Sequence, residues 1–383
     1  MTITSYLESK LEGYLADLRR LVAIDSGAYD KAGGQRVNDW LAARLECAGF
    51  TIQRYPQRDT ADHLLAQLRG GGRARILLLG HCDTVYPRGT AAQRPLHLLG
   101  DRLLGPGTCD MKAGLISGIY AIEALQKQNF NDFALLSFLC VADEEVDRRT
   151  SIPLITESVR GYDAVLTLEA ARENGDIVTA RKGNVVICAR AQGRSAHAGV
   201  EPEKGRNAIS GLMRRLTQAE SLAQPEAGIT INIGTISGGT MPNVVPDLAE
   251  ASIDIRAFEQ SELERVSAEI EALFARPAED DIRFTLDCRL ASPPMPRTAA
   301  VESLEQLAVQ AAAQLGFALR GASTGGAADS AFVAEAGLPV LDGLGPIGGL
   351  DHGPDEYILK SSIVPRTALL AELIRLICGA NNG

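Results

Sequence analysis

The chain has 383 residues, of which 45% are hydrophobic and 22% charged, and its net charge at pH 7 is −10. This composition is ordinary for a globular protein and argues against a disordered or collagen-like chain. The length predicts about two domains. The acidic balance disfavours a nucleic-acid partner, and no apolar run reaches the ~20 residues that a membrane span needs.

The cysteines and the N-terminus both favour a cytoplasmic location. The seven cysteines are scattered, odd in number and without a Cys-x-x-Cys pair, which disfavours a disulfide scaffold or a cysteine-based zinc finger. The first ten residues lack the basic start and apolar centre of a secretory signal, so we expect none. We therefore expect a reducing, cytoplasmic environment.

The first part of the chain alternates between predicted helices and strands. Residues with helical spacing of apolar side chains lie at 5–24, 35–48 and 113–127. Nearly continuous apolar runs, typical of strands buried on both faces of a parallel sheet, lie at residues 75–80, 133–141 and 164–168. This alternation predicts an α/β fold with a mixed, mostly parallel sheet.

The pattern changes near residue 181 to the order strand, helix, strand, strand, helix, strand, which is ferredoxin-like. We predict these elements at residues 183–192, 204–222, 229–237, 248–257, 260–275 and 281–290. We therefore expect an inserted ferredoxin-like α+β domain at residues 182–291. It would separate the two parts of the α/β domain, at residues 1–181 and 292–383.

The α/β pattern resumes after the proline-rich stretch at 292–296. We predict helices at residues 300–316, from about 328 and at 362–378, a strand at 338–341 and a turn at 321–326. The glycine-rich residues 321–329 have no Gly-Lys-Ser/Thr and are not a phosphate loop. The free amides of the next helix could bind a substrate carboxylate near Gly326, and a plain turn is the alternative.

Each of the three apolar runs ends in residues that can bind a metal. They are His81 and Asp83 after the first run, Asp143, Glu144 and Glu145 after the second, and Glu169 after the third. The carboxyl ends of strands in an open α/β sheet face one crevice, where ligands bind. Asp110, on a loop before a predicted helix, could join them. Divalent cations would neutralise so much buried like charge.

The types of ligand narrow the choice of metal. Histidine with carboxylates suits zinc, with manganese or cobalt as alternatives, whereas calcium and magnesium prefer all-oxygen sites. Asp83 lies on the same side of the strand end as His81, so it could either bind metal or orient that histidine. Glu144 and Glu145 are adjacent and cannot easily point the same way. One could therefore bind metal while the other serves as a base.

These segments, in this order and spacing, resemble the co-catalytic zinc metallopeptidases that include aminoacylase, acetylornithine deacetylase and succinyl-diaminopimelate desuccinylase. Within them, the chain is similar to the glutamate carboxypeptidases of the carboxypeptidase G type. The resemblance covers nearly the whole chain. Its segments are His81–Val85, Gly107–Lys112, Asp143–Glu145, Leu168–Ala170, Ser195–Gly205 with Asn207–Ile209, Met241–Pro246, Ile253–Arg256 and His352–Tyr357.

The resemblance implies a zinc-peptidase catalytic domain with two zinc ions bridged by Asp110. His81 and Glu169 would complete one site, and Glu145 and His352 would complete the other. It also implies a cis peptide bond between Asp110 and Met111.

The resemblance further implies which residues act around the metals. Glu144 would be the general base, and Asp83 would support His81. His197, on the inserted lid and dimerisation domain of a partner subunit, would stabilise the oxyanion with help from Asn243. Arg256, in turn, would bind the substrate carboxylate, because a guanidinium can grip a carboxylate with two hydrogen bonds.

The sequence departs from the pattern of the glutamate carboxypeptidases at two places. These departures weaken the inference of glutamate specificity more than the inference of metal chemistry. Arg148 and Arg149 stand where relatives carry small residues; they could reach an anionic substrate or lie in solvent, and we expect solvent. Neither Arg289 nor Arg297 aligns clearly with the arginine that glutamate carboxypeptidases carry near the return to the catalytic domain.

The sequence thus predicts a homodimeric zinc hydrolase that releases a C-terminal amino acid, foremost glutamate, from a small N-acyl or peptidyl substrate. An N-acyl amino-acid deacylase or dipeptidase is the alternative on the same scaffold. A non-catalytic binding protein is the remote alternative, since every position that matches a ligand or the base is occupied.

Overall fold

The computed structural model describes residues 1–277 and 281–380. Its α-helices are α1 (Ile3–Val22), α2 (Lys31–Cys47), α3 (Thr90–Gln93), α4 (Ala113–Lys127), α5 (Ser151–Ser158), α6 (Ala208–Glu220), α7 (Gln260–Ala275), α8 (Ala299–Gln314), α9 (Ser330–Glu335) and α10 (Ile363–Ala380).

The strands are numbered in the same way along the chain. They are β1 (Thr51–Tyr55), β2 (His63–Arg69), β3 (Arg75–His81), β4 (His97–Leu99), β5 (Arg102–Leu104), β6 (Leu135–Val141), β7 (Ala164–Thr167), β8 (Ile177–Arg181), β9 (Gly183–Gln192), β10 (Thr230–Gly238), β11 (Leu248–Ala257), β12 (Arg283–Ser292), β13 (Gly321–Thr324), β14 (Val340–Leu341), β15 (Gly348–Gly349) and β16 (Tyr357–Leu359).

The chain divides into two compact units. The first unit comprises residues 1–179, 297–323 and 328–383, and the second comprises residues 180–296 and 324–327. Residues 324–327 therefore pack with the second unit, although the sequence prediction placed them in the 292–383 segment. The division into functional domains at residues 1–181, 182–291 and 292–383 stays a prediction. Within these segments, residues 278–280 and 381–383 lie outside the described residues.

The first unit is built on a six-stranded sheet in the order β1-β2-β6-β3-β7-β14. β3 pairs in parallel with β6 and β7, and β7 with β14, whereas β1–β2 and β2–β6 are antiparallel. Every residue of β6 and β7 is buried, because side chains on both faces of these strands are covered. The predicted α/β fold with a mixed, mostly parallel sheet is confirmed.

Parallel pairing fixes where the site can form. β3, β6 and β7 all run in the same direction, so their carboxyl ends meet at one edge of the sheet. Helices α1, α4, α8 and α10 pack on one another within the same unit. Their apolar side chains share one core with those of the sheet.

The second unit has the order β9-α6-β10-β11-α7-β12 and an antiparallel sheet in the order β10-β11-β9-β12. Buried and exposed residues alternate along β9 and β11, because α6 and α7 cover only one face. This is the ferredoxin-like arrangement expected from the sequence. Its role as a lid or dimerisation domain stays a prediction.

Several elements differ from the sequence prediction. The glycine-rich turn expected at 321–326 begins with strand β13, which pairs with β8. Strands β1, β2, β4, β5, β8, β15 and β16 and helices α3 and α5 have no counterpart in the prediction. Among residues 1–277 and 281–380, we find no helix that combines the length and apolar character that crossing a membrane requires.

Candidate metal centre

The candidate ligands of the first unit follow the ends of its parallel strands. His81 is the last residue of β3, Glu145 lies four residues after the end of β6, and Glu169 lies two residues after the end of β7. The register pairs His81 with Val141 and Leu79 with Thr167. This alignment brings the three ligands to the same edge of the sheet.

Asp110 reaches the same edge from the connection between β5 and α4. It lies in the segment Thr108–Lys112, which is kinked at Asp110 and Met111, where the backbone angles are not helical, and which runs directly into α4. The peptide bond between Asp110 and Met111 is cis, as the resemblance implied. Met111 is buried, whereas the side chain of Asp110 is 17% exposed.

Two ligand groups share Asp110. In one group, His81 Nε2 lies 2.9 Å from Asp110 Oδ1 and 3.5 Å from Glu169 Oε1. In the other, His352 Nε2 lies 3.2 Å from Asp110 Oδ2 and 3.3 Å from Glu145 Oε2. Within each group, one atom per residue lies within 4.8 Å of the others. Asp110 thus presents one carboxylate oxygen to each group, as a bridging ligand must.

Unsatisfied atoms show that these groups suit cations. Among the described residues, three buried atoms have no hydrogen-bond partner here: His81 Nε2, Asp110 Oδ1 and Glu145 Oε1. His81 Nε2 and Asp110 Oδ1 are close but are not aligned for a hydrogen bond. Buried polar atoms are rarely left unsatisfied, and an ion is one of the usual reasons. Nitrogen and carboxylate donors in this number suit zinc.

The pKa values of the ligands follow from the same concentration of negative charge. Burial lowers the pKa of His81, but the carboxylates of Asp110, Asp83 and Glu169 outweigh burial and hold it well above its ordinary value. Asp110 and Glu145 raise the pKa of His352 to about 11. The ligand groups therefore attract positive charge strongly, and a bound cation would displace protons from both histidines.

Asp83 contacts the candidate ligand His81 and the backbone of Glu144 and Glu145. Its carboxylate Oδ1 lies 3.4 Å from His81 Nδ1, and its own backbone oxygen lies 3.1 Å from the same nitrogen. The carboxylate also accepts the backbone N–H groups of Glu144 and Glu145, at 3.3 and 3.0 Å. Asp83 belongs to neither ligand group, so its position is that of an orienting residue.

Glu144 is a buried carboxylate that belongs to neither ligand group. Its Oε1 forms an ion pair with Arg148 Nη2. Our expectation that Arg148 lies in solvent is therefore wrong, because the turn after Glu145 folds this side chain back to Glu144. Arg149 is 83% exposed and pairs with Asp147, in agreement with the expectation.

Glu356 is a structural support that the sequence analysis did not assign, although it lies within the quoted segment His352–Tyr357. It is fully buried. Its carboxylate accepts the backbone N–H groups of Gly107, Cys109 and Asp110 at 2.8–3.0 Å, and the hydroxyl of Tyr86 at 2.6 Å. Glu356 thus fixes the loop that presents Asp110.

His197 and Asn243 lie in the second unit, on two loops that pair with each other. His197 bridges to Val244, and the N–H of Ala198 donates to the carbonyl of Asn243 at 2.9 Å. Both side chains are exposed, and His197 Nδ1 accepts the N–H of Gly199 at 3.2 Å. The fold thus places these two candidates next to each other, and their catalytic role stays a prediction.

Arg256 and Gly326 also lie in the second unit. Arg256 donates two hydrogen bonds to the carboxylate of Asp254, at 2.8 and 3.2 Å, and a third to the carbonyl of Gly325 at 2.7 Å. The carbonyl of Gly326 accepts a bond from Arg181 at 2.9 Å. The roles of Arg256 and Gly326 in substrate binding stay predictions.

The structure also shows the surroundings of Arg289 and Arg297, neither of which could be aligned from the sequence. Arg297 pairs with Glu302 and Glu305 in the first unit, at 2.9 and 2.7 Å. Arg289 is exposed on β12. The helix after the glycine-rich segment, α9, has only six residues, so its N-terminus offers little support for an anion site near Gly326.

Comparison with known proteins supplies the wider context. The chain matches the model for peptidase family M20/M25/M40 over residues 77–376. Carboxypeptidase G2 of Pseudomonas sp. (strain RS-16) is 27% identical over 370 residues, which cover 93% of this chain and 87% of that protein.

Two solved structures share the fold. Aminopeptidase PepT of Bacillus cereus has a TM-score of 0.83 and 22% identity, and the match covers 96% of this chain and 98% of that one. The YXEP protein of Bacillus subtilis, described as a dinuclear metal-binding peptidase of the M20 family, has a TM-score of 0.74 and 14% identity. That match covers 98% of this chain and 99% of that one.

The substitution Glu356→Gln tests whether the buried carboxylate positions Asp110. A glutamine amide would turn N–H groups toward backbone donors, so the Asp110 loop must shift. We expect zinc affinity, measured by chelator competition, to fall about 10–100-fold, as for other residues that support metal ligands.

Asp25→Asn is the matched control. Asp25 accepts the N–H groups of Gly89 and Ala91, at 2.7 and 2.8 Å, so its loss should lower the melting temperature without a comparable loss of zinc affinity. Unchanged zinc affinity in Glu356→Gln, or an equal loss in Asp25→Asn, would contradict the assignment.

Proposed function

The chain belongs to peptidase family M20/M25/M40, and from this premise we propose that it is a zinc-dependent amide or peptide hydrolase with a di-zinc site. The proposed reaction releases a C-terminal amino acid, foremost glutamate, from a small N-acyl or peptidyl substrate. The observation that carries the proposal is the pair of ligand groups that share Asp110, with the carboxylate of Glu144 outside both.

In this proposal, residues of the first unit bind the two metal ions. His81 and Glu169 would hold one ion, Glu145 and His352 would hold the other, and Asp110 would contribute to both. Two zinc ions, when bound, would act as Lewis acids toward a carbonyl oxygen and make water more acidic; cobalt or manganese could substitute.

Glu144 is the proposed general base. Its carboxylate accepts a proton from the attacking water and later returns that proton to the leaving nitrogen. This proton exchange requires a carboxylate that binds no metal. Glu144 meets the requirement because it belongs to neither ligand group. Asp83 keeps His81 oriented through Nδ1 and holds the backbone of both glutamates, so the base and the ligands move little relative to each other.

The second unit supplies the proposed substrate contacts. His197 stabilises the oxyanion with help from Asn243, and Arg256 with Gly326 binds the substrate carboxylate. Arg256 has five guanidinium N–H groups, of which three are engaged by Asp254 and Gly325. Two therefore remain for a substrate carboxylate.

The proposed biological unit is a cytoplasmic homodimer. The antiparallel sheet of the second unit has β10 and β12 at its two edges, and edge strands are surfaces on which a second copy can pair. The seven cysteines, all within the described residues, are free thiols, which supports a reducing compartment. We expect no nucleic-acid or membrane partner.

Glutamate as the preferred residue rests on the resemblance of the sequence motifs to glutamate carboxypeptidases of the carboxypeptidase G type. A screen of the zinc-loaded protein against N-acyl-glutamates, other N-acetyl amino acids and dipeptides tests it. We expect the highest kcat/KM on N-acyl-glutamates. A higher value on other N-acetyl amino acids or on dipeptides would instead support the alternative deacylase or dipeptidase, and no hydrolysis of any class would contradict the proposal.

Substitution of Glu144 and substitution of Glu145 should cause two different defects. Glu144→Gln should retain two zinc ions and lower kcat about 10²–10⁴-fold, because it removes only the base. Glu145→Gln should lower the zinc content of one site. Metal analysis and kinetics on the same samples distinguish the two. Near-full activity of Glu144→Gln with intact zinc content would refute the assignment of the base.

A mixing experiment tests whether His197 acts on the partner's site. His197→Ala and Glu144→Gln should each be nearly inactive alone. A heterodimer of the two would contain one site with an intact base and an intact incoming histidine, so co-expression should restore up to about half the activity per dimer. If the heterodimer forms but stays inactive, His197 does not act across the dimer.

A further inference from the structure

Arg148 is a charged side chain buried beside the proposed base. Its side chain is 16% exposed, whereas that of the adjacent Arg149 is 83% exposed. Arg148 Nη2 forms an ion pair with Glu144 Oε1, and its Nε lies 3.3 Å from Asp329 Oδ1. The guanidinium therefore lies between two carboxylates that are themselves buried.

The turn that carries Arg148 is closed by its own hydrogen bonds. The N–H of Arg148 donates to the carbonyl of Asp143 at 3.1 Å. The carboxylate of Asp143 accepts the N–H and hydroxyl of Thr150, at 2.9 and 2.6 Å. His63 binds the same hydroxyl through Nε2 and accepts the N–H of Ala142 through Nδ1. The backbone around Arg148 is thus fixed at both ends.

Arg148 also adopts a conformation that a non-glycine residue rarely takes. Its φ is 49°, in the left-handed region. This backbone conformation costs energy and persists only where the surrounding contacts enforce it. The side-chain pairs with Glu144 and Asp329 are the contacts that this conformation permits.

Asp329 gives the guanidinium a second anchor. It is 2% exposed. Among the described residues, neither of its carboxylate oxygens has a hydrogen-bond partner, and its ion pair is with Arg148. A buried carboxylate needs a compensating charge, so Asp329 holds Arg148 in place while Arg148 neutralises Asp329.

We propose that Arg148, anchored by Asp329, is a positioning residue that orients the general base Glu144. The ion pair fixes Oε1 and leaves Oε2 to exchange the proton. This proposal rests on the proposed function, because it takes Glu144 as the base. A rival explanation gives Arg148 a structural role only, as the cation that neutralises Asp329.

The experiment uses the full-length, zinc-loaded protein and the N-acyl amino acid that it hydrolyses fastest. Arg148→Ala should lower kcat about 10–100-fold, because misplacing a reacting group by about 1 Å can cost ~10²-fold. KM should change less than kcat, and both zinc ions should stay bound. The matched control Arg149→Ala should keep kcat and KM. An unchanged kcat in Arg148→Ala would overturn the proposal.

The double variant Arg148→Gln/Asp329→Asn separates positioning from neutralisation, and it avoids leaving the buried carboxylate of Asp329 uncompensated, which would destabilise the fold. If Arg148 positions Glu144, kcat stays low although the melting temperature recovers. If Arg148 only neutralises Asp329, kcat returns to that of the unmodified protein, and the proposal is wrong.

Added guanidinium ion provides a second readout. Millimolar guanidinium, below denaturing concentrations, should raise kcat of Arg148→Ala in a saturable way and leave Glu144→Gln unchanged. No rise in Arg148→Ala would count against positioning. Failure of the proposed function gives a different result, since Glu144→Gln would then retain activity or the unmodified protein would hydrolyse no substrate.

Discussion

Repulsion among carboxylates at one edge of the sheet is the constraint on which the rest of the site depends. The parallel strands deliver Glu145 and Glu169 to the same place, and the loop before α4 adds Asp110 between them. So many buried negative charges are stable together only when cations balance them. The same carboxylates raise the pKa of His81 and of His352, and two divalent ions would balance the negative charge with both histidines neutral.

Most of the fold follows from local patterns in the sequence. Helices α4 and α7 begin and end where their apolar spacing predicts, and the continuous apolar runs of β3, β6 and β7 predict strands buried on both faces. The strands that the sequence did not reveal are mainly short. β5 and β16, for example, have three residues each and exist because they pair with each other across a long stretch of chain. Such pairing leaves no local signal.

The grouping of the candidate metal ligands could be predicted because strand ends and residue types are visible in the sequence, whereas the residues that support them depend on distant contacts. From the sequence alone, Arg148 is expected to be solvated, because its burial depends on an ion pair with Asp329, which is remote in sequence. Glu356 is one acid in a polar segment, and only the fold shows three backbone amides converging on it. The one available signal was its place within the segment that begins at His352.

In the proposed site, two cations share Asp110. Anomalous diffraction at the zinc edge, on crystals of the zinc-loaded protein, tests it most directly. We expect two peaks per chain, one contacted by His81, Asp110 and Glu169 and the other by Asp110, Glu145 and His352. A single peak, or zinc bound without Asp110, would contradict it.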